Sequence, residues 1–328
     1  MDCQYVKEFS DNIINEVSKI MIGKEEQTKL ILMAMFSYGH VLLEDMPGSG
    51  KTTLVKCISR ALDMDFKRIQ FTPDLLPSDI TGMNIFNKET NSFKFVDGPV
   101  NTNILLADEI NRAIPRTQSA LLEAMEERQI TIDGESRPLP EPFTVLATQN
   151  PVDSENTFAL PAAQMDRFFI KLSLGYPDPI QEVRMITNLG DGIDFSVIEK
   201  KASPKDIINI KNICEKTFVS DPVKNYIVAL VTATRENPLI KNGTSPRASR
   251  SLYKGAKAYA AINGRDFVTP DDIKEIAPYI LTHRITLSNE ARFARKTAEE
   301  IITEILNTVP VPPEKESMIY EWKRIPGQ

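Results

Sequence analysis

Cysteine and histidine are scarce in this chain of 328 residues, which contains three cysteines and two histidines. The cysteines, Cys3, Cys57 and Cys214, stand far apart in the sequence. They have neither the close spacing of a zinc site nor the pairing of a disulfide framework. So little cysteine is typical of a reducing compartment, and we expect a cytoplasmic protein.

Long apolar runs and an excess of positive charge are missing as well. No segment approaches the roughly 18 unbroken apolar residues of a membrane helix, so we expect no membrane span. Charged residues interrupt the first apolar stretch, which therefore lacks the core of a signal peptide. The formal net charge is −6, so a general attraction to nucleic acid is not expected.

Apolar residues make up 41% of the chain, which is enough for a sizeable core. Over residues 1–176, short apolar runs alternate with helical patterns. This order predicts an α/β domain with a parallel sheet and helices on both faces. The predicted strands are Val41 to Leu43, Lys67 to Phe71, Ile104 to Ala107, Thr144 to Ala147 and Phe168 to Leu172.

Two segments of this domain predict β-hairpins instead. Met83 to Pro99 carries polar residues between apolar flanks, and Gln129 to Pro140 contains Asp133-Gly134, a strong turn signal. The prolines around Tyr176 mark a boundary, after which we expect a linker at 177–205. A small all-helical domain is predicted over 206–310, and its last helix is predicted from Asn289 to Asn307. A tail over 311–328 carries Trp322, the single tryptophan.

The strongest motif lies between a predicted strand and a predicted helix: Glu44-Asp45-Met46-Pro47-Gly48-Ser49-Gly50-Lys51-Thr52-Thr53. In a P-loop, backbone N–H groups at such a joint hold phosphate oxygens, and the helix N-terminus adds favourable charge. We expect Lys51 to reach the β- and γ-phosphates and Thr52 to bind magnesium. Asp45 stands where the motif has its first glycine. An ordinary strand–turn–helix joint is the alternative reading. The expected nucleotide contacts from the loop are Pro47, Gly48, Ser49, Gly50, Lys51, Thr52 and Thr53.

An acid pair follows the third predicted strand, as Asp108-Glu109. Parallel strands end at the sheet edge where ligands bind, so both carboxylates are predicted to face the nucleotide. Asp108 would hold magnesium through water, and Glu109 would orient and deprotonate the attacking water. Alone, such a pair is often only a helix cap or a solvated turn. After a P-loop, it predicts hydrolysis of ATP with magnesium.

The next strand ends in Thr148-Gln149-Asn150-Pro151. Asn150 could contact the γ-phosphate or the attacking water from there. An asparagine before proline is also an ordinary turn.

With these motifs the chain resembles the MoxR-type AAA+ ATPases, over nearly its whole length. The P-loop variant with Asp45 is similar to one found in that family. The most specific matching stretches are Leu106 to Ala113, Thr117 to Glu127, Ala147 to Pro151, Leu160 to Phe168 and Ser245 to Ala248.

The resemblance implies roles that spacing alone does not show. Asn150 matches the sensor 1 position, and Arg167 matches an arginine finger offered to a neighbouring subunit. Arg247 matches the sensor 2 arginine, although Arg250 lies one turn away and stays an alternative. Ile22 and Gly23 fall where the family contacts adenine, and the two hairpins match its helix-2 and pre-sensor-1 inserts.

The resemblance also implies a hexameric ring that acts as a chaperone. The expected client carries a von Willebrand factor A domain. In this family the chaperone action often serves the insertion of a metal or cofactor. A magnesium-chelatase-type subunit, a nucleic-acid motor of the helicase type and a non-enzymatic scaffold remain alternatives. Arg112 is left open between an interface residue and a charge at a helix start.

Overall fold

The computed structural model describes residues 2–46, 48–150, 157–189 and 192–312. Pro47, Pro151 and the tail with Trp322 therefore lie outside the described residues. The strands are β1 (Val41–Glu44), β2 (Phe66–Gln70), β3 (Gly82–Asn87), β4 (Ser92–Asp97), β5 (Ile104–Asp108), β6 (Gln129–Ile132), β7 (Glu135–Pro138), β8 (Thr144–Gln149), β9 (Ile170–Leu172), β10 (Ile240–Asn242) and β11 (Thr286–Leu287).

The helices, in chain order, are α1 (Cys3–Ser18), α2 (Glu25–Phe36), α3 (Lys51–Ala61), α4 (Pro77–Thr81), α5 (Pro115–Glu127), α6 (Ala162–Met165), α7 (Pro179–Leu189), α8 (Pro204–Cys214), α9 (Asp221–Glu236), α10 (Pro246–Ile262), α11 (Pro270–Leu281), α12 (Asn289–Phe293) and α13 (Ala298–Thr308). Within the described residues, no helix combines the length and apolar character needed to cross a membrane.

The central sheet has the order β2-β5-β8-β1-β9. The pairs β2–β5, β5–β8 and β8–β1 are all parallel, so the carboxyl ends of these strands share one edge. All five residues of β5 are buried, which means that both faces of the sheet are covered. The predicted α/β fold is confirmed. Both predicted hairpins are present, as the antiparallel pairs β3–β4 and β6–β7.

His40 lies at the opposite, amino-terminal edge of the sheet, directly before β1. Its ring connects the backbone of two other segments. Its Nε2 lies 2.9 Å from the carbonyl oxygen of Met125, and Val145 N donates to its Nδ1 at 3.0 Å. Nδ1 therefore accepts and Nε2 carries the proton. Burial, reinforced by the nearby positive charge of Arg128, lowers the pKa of His40 to about 3. Arg128 in turn donates to the carbonyl oxygens of Tyr38 and Phe143.

The chain forms two compact units, each defined by contacts among its own residues. One holds Ser10–Phe168 and Leu172–Asn209, and the other holds the chain up to Phe9, Phe169–Lys171 and the chain from Ile210 onward. The domain boundaries expected from the sequence, at 176, 205 and 310, stay a prediction. The expected linker at 177–205 contains α7.

The helical unit departs from the prediction in two places. A two-stranded antiparallel sheet, β10–β11, accompanies the helices that were expected alone. The single helix predicted from Asn289 to Asn307 is wrong, because α12 and α13 are separate. Arg295 has a φ of 53°, which breaks the first helix. Thr297 then caps the second, with its hydroxyl accepting from Glu300 N.

Candidate nucleotide-binding and hydrolysis site

In the segment between β1 and α3, Gly48 and Gly50 both have a positive φ. Gly50 caps α3 in the left-handed region, with a φ of 85°. Gly48 has the same φ, and a Cβ there would meet open space. The φ value alone explains the glycine at this position, since L side chains rarely adopt it. A Cβ at Gly50 would lie 3.2 Å from the tip of Met21.

Lys51 is held by the loop that precedes it. Its Nζ donates to the carbonyl oxygens of Asp45 at 3.0 Å and Met46 at 2.9 Å. The ammonium therefore lies against the loop, where the charge of a bound phosphate would be neutralised.

Asp45, the departure from the P-loop motif, is a structural anchor. Its buried carboxylate accepts from Ser173 Oγ at 2.7 Å, Leu174 N at 2.8 Å and Gly175 N at 3.1 Å. Lys24 Nζ donates to the carbonyl oxygen of Leu174 at 2.6 Å. A glycine could not make these bonds, so Asp45 ties the P-loop to the segment after β9.

The acid pair lies at the carboxyl end of β5, as predicted. Asp108 is buried, and its Oδ1 accepts from Thr148 Oγ1 at 2.6 Å. The same hydroxyl accepts from Glu109 N at 2.8 Å, so Thr148 fixes both residues of the pair. Glu109 has a φ of 55°, which is uncommon for a residue with a side chain and turns the chain sharply after the strand.

Three further side chains hold these carboxylates. Arg68 donates to Asp108 Oδ2 from Nε at 3.0 Å and from Nη2 at 2.6 Å. Glu109 Oε2 accepts from Gln70 Nε2 at 2.7 Å and from Arg112 Nη1 at 2.9 Å. The sequence did not single out Arg68 or Gln70, because an edge strand with mixed exposure carries no motif. The sequence left the role of Arg112 open. In the structure, its guanidinium binds the carboxylate of Glu109 in the same chain.

One cleft of about 390 Å³ collects most of the predicted site. Its lining includes the predicted residues Gly48, Ser49, Gly50, Lys51, Thr52, Thr53, Asp108, Glu109 and Asn150. It also includes residues that were not predicted as site residues: Asp45, Arg68, Gln70, Thr148 and Gln149.

Ile22 and Gly23 lie in the turn between α1 and α2, outside the lining of this cleft. The turn lies next to the P-loop, since Met21 touches the position of a Cβ on Gly50. Gly23 has a φ of 72°, and a Cβ there would overlap the side-chain amide of Gln181.

Arg167 lies in a second cleft, against α5. Its Nη1 lies 2.6 Å from Glu126 Oε2 and donates to the carbonyl oxygen of Leu122 at 3.0 Å. Arg247 lies in the first turn of α10 in the helical unit, where its N–H donates to the capping Ser245 Oγ at 3.1 Å. The structure therefore does not bring Arg167 to the P-loop cleft of its own chain.

The donor set suits a magnesium nucleotide. Thr52 and Asp108 both line the cleft and supply oxygen ligands, which magnesium prefers. Magnesium is usually held by one or two carboxylates together with substrate phosphates, and the described residues contain no cluster of acids, histidines and cysteines for an all-protein site. The P-loop backbone, Lys51 and the α3 N-terminus suit the phosphate side.

Comparison with known proteins agrees with this chemistry. Residues 40–170 match the ATPase family associated with various cellular activities (AAA), and residues 232–305 match an AAA lid domain. The chain is 45% identical to the protein YeaC of Bacillus subtilis, over 93% of this chain and 95% of YeaC. It is 39% identical to Chaperone MoxR1 of Mycobacterium tuberculosis, over 92% of this chain and 82% of MoxR1. A solved structure from Cytophaga hutchinsonii superposes with a TM-score of 0.88 at 41% identity, over 95% of this chain and 97% of that one.

Proposed function

Because this chain belongs to the MoxR-type family of AAA+ ATPases, we propose that its magnesium-dependent hydrolysis of ATP drives the remodelling of a client with a von Willebrand factor A domain. ATP hydrolysis and a chaperone-like role follow from the family. The observation that carries the chemistry is the single cleft that Lys51, Glu109 and Asn150 line together.

The residues divide the reaction between them. Lys51 and the P-loop amides bind the phosphates, while Thr52 and Asp108 hold magnesium, which neutralises charge on the phosphate oxygens when bound. Glu109 orients the attacking water and accepts its proton, and Asn150 positions the γ-phosphate or the water. Pro47 and the turn at Ile22 and Gly23 complete the proposed nucleotide contacts.

A hexameric ring would explain the position of Arg167. An arginine finger stabilises charge that develops on the transferred phosphoryl group, and it can come from a neighbouring subunit. Arg167 binds Glu126 on its own chain rather than the P-loop cleft, which suits action in trans. A role for Arg247 as the sensor 2 arginine stays a prediction.

Mixed assemblies test this geometry. Arg167→Ala should bind ATP and hydrolyse it poorly, whereas Lys51→Ala should fail to bind ATP but keep its finger. Once co-purification of tagged chains shows joint assembly, the mixture should regain part of the activity. If the mixture shows only the sum of the two parents, Arg167 does not act in trans.

A nucleic-acid motor is disfavoured by Arg137 of the β6–β7 hairpin and by Arg128, directly before β6. Arg137 pairs with Glu135 at 3.0 Å and lies over the ring of Phe95 at 4.2 Å. Arg128 is engaged with backbone carbonyls. These cations are therefore not arranged as a track for phosphates.

The client proposal is tested with a purified von Willebrand factor A domain protein from the same genome. Glu109→Gln with ATP should hold that protein, and Lys51→Ala should not, because retention requires bound ATP. Equal retention by both variants would refute ATP-dependent binding. A duplex DNA probe provides the second arm, and binding that weakens steeply with added salt would favour the motor instead.

A further inference from the structure

The two carboxylate oxygens of Asp108 have different partners. Oδ1 accepts from Thr148 Oγ1 at 2.6 Å, on the side that also fixes Glu109. Oδ2 accepts from both Nε and Nη2 of Arg68. Arg68 lines the same cleft as Thr52 and the P-loop. The guanidinium therefore covers the oxygen of Asp108 that is not tied to Thr148.

The side chain of Arg68 can move away from this contact more easily than the side chain of Asp108 can. It stands on β2, the edge strand of the sheet, and its side chain is 48% exposed against 11% for Asp108. A long, half-exposed arginine can move into solvent, whereas the carboxylate is fixed by Thr148. Its one other side-chain contact in the cleft is a 3.3 Å hydrogen bond from Nη2 to Gln70 Oε1, as far as the described residues show.

We propose that Arg68 competes with magnesium for Asp108 and thereby sets the magnesium concentration at which the site is loaded. This inference rests on the proposed magnesium dependence. The guanidinium of Arg68 and a magnesium ion held through its bound water cannot both use Oδ2, because both are positive and both need its lone pairs. Magnesium must replace two charge-assisted hydrogen bonds, so the contact lowers the affinity of the site for the metal.

The test is a magnesium titration of nucleotide binding. A fluorescent, non-hydrolysable ATP analogue is held at a fixed concentration, and the half-saturating magnesium concentration is measured for the wild type and Arg68→Gln. We expect the variant to need about tenfold less magnesium, which corresponds to the loss of roughly one charge-assisted hydrogen bond. Arg68→Lys keeps the charge without the forked contact and should fall between the two.

Lys67→Gln is the matched control. Lys67 is the neighbour of Arg68 on β2, and its Nζ donates to the carbonyl oxygen of Asn101 at 2.9 Å. The variant removes the same charge from the same strand without touching Asp108. Its half-saturating magnesium concentration should stay within about twofold of the wild type. A shift equal to that of Arg68→Gln would assign the effect to general charge and overturn the proposal.

Thermal unfolding gives a second readout. With the same ATP analogue at a fixed concentration, magnesium should raise the melting temperature of Arg68→Gln at lower concentrations than that of the wild type, because Asp108 then lacks its counter-cation. An unchanged magnesium requirement in Arg68→Gln, with magnesium still needed by the wild type, overturns the role of Arg68 alone. A wild type whose nucleotide binding ignores magnesium overturns the magnesium proposal together with it.

Discussion

At the amino-terminal edge of the central sheet, His40 is buried, and both of its ring nitrogens are bonded to the backbone of other elements. At the carboxyl-terminal edge, Asp108 and Glu109 are instead held by Arg68 and Arg112, which are 48% and 46% exposed. The first arrangement cannot change without opening the sheet. The second can exchange its partners, because each arginine can move into water. The same sheet therefore has one edge fixed for stability and one edge open to chemistry.

The largest effect that separates the two edges is expected from Glu109→Gln. Loss of the general base should lower the ATP hydrolysis rate by roughly 10²–10⁴-fold. The amide can still accept from Gln70 or Arg112, so the melting temperature and ATP affinity should change little. Steady-state hydrolysis, calorimetric ATP binding and thermal unfolding measure the three quantities. Hydrolysis at the wild-type rate would show that Glu109 is not the base.

His40→Gln should show the reverse pattern. The glutamine cannot reproduce both ring contacts, so Met125 O or Val145 N is left unpaired in the interior. We expect a loss of about 2–3 kcal/mol in the free energy of unfolding, measured by urea denaturation. The hydrolysis rate of the folded variant at 25 °C should stay within about twofold of the wild type. A larger fall in that rate would contradict the separation of the two edges.

The amino-terminal edge should also make stability depend on pH. The pKa of His40 is lowered by burial from its ordinary 6.5 to about 3, so between these values the unfolded chain binds a proton that the folded chain does not. The stabilising contribution of neutral His40 to the free energy of unfolding is complete above pH 6.5 and is lost as the pH falls toward 3. The expected slope is at most about 1.4 kcal/mol per pH unit. The free energy of unfolding of the wild type and of His40→Gln is compared between pH 5 and 7. The difference between the two profiles gives the His40 contribution, since His40→Gln should lack this slope. Parallel profiles would assign the acid sensitivity to other groups.

The smallest effect is expected at the anchor of the P-loop. Asp45→Asn keeps the size of the side chain but removes its charge and one acceptor for Ser173, Leu174 and Gly175. We expect a loss of about 1 kcal/mol, seen as faster hydrogen exchange of the Leu174 and Gly175 amides. Exchange at the wild-type rate would mean that the three bonds do not hold this segment. A neighbouring charge change at the half-buried Glu44, Glu44→Gln, is the matched control.

Local motifs explain which parts of the site the sequence could predict. Lys51, Thr52, Asp108 and Glu109 are read from short spacings, because a P-loop and the end of a buried strand each lie within a few residues. The register of parallel strands is not local. The contacts of Asp108 with Thr148 and Arg68 depend on the pairing of β5 with β8 and with β2. The sequence does not show this pairing.

The fold shows the same limit. The Asp133-Gly134 turn predicted the β6–β7 hairpin because its chemistry is contained in the turn itself. The break between α12 and α13 was missed, since Arg295 adopts a positive φ that its residue type does not favour. The role of Asp45 was also out of reach, because its partners lie after β9, far along the chain.

Lys51 has a consequence for ligand selectivity. Its ammonium is already bonded to the carbonyl oxygens of Asp45 and Met46, at 3.0 and 2.9 Å. In the proposed site, recognition of a ligand would therefore be an exchange, in which the ligand must attract the ammonium more strongly than two neutral carbonyls do. A charged phosphate chain meets that condition, because its hydrogen bonds to the cation are charge-assisted on both sides. The hydroxyl group of an unphosphorylated nucleoside does not, so we expect the loop to discriminate against nucleosides before any contact with the base is made.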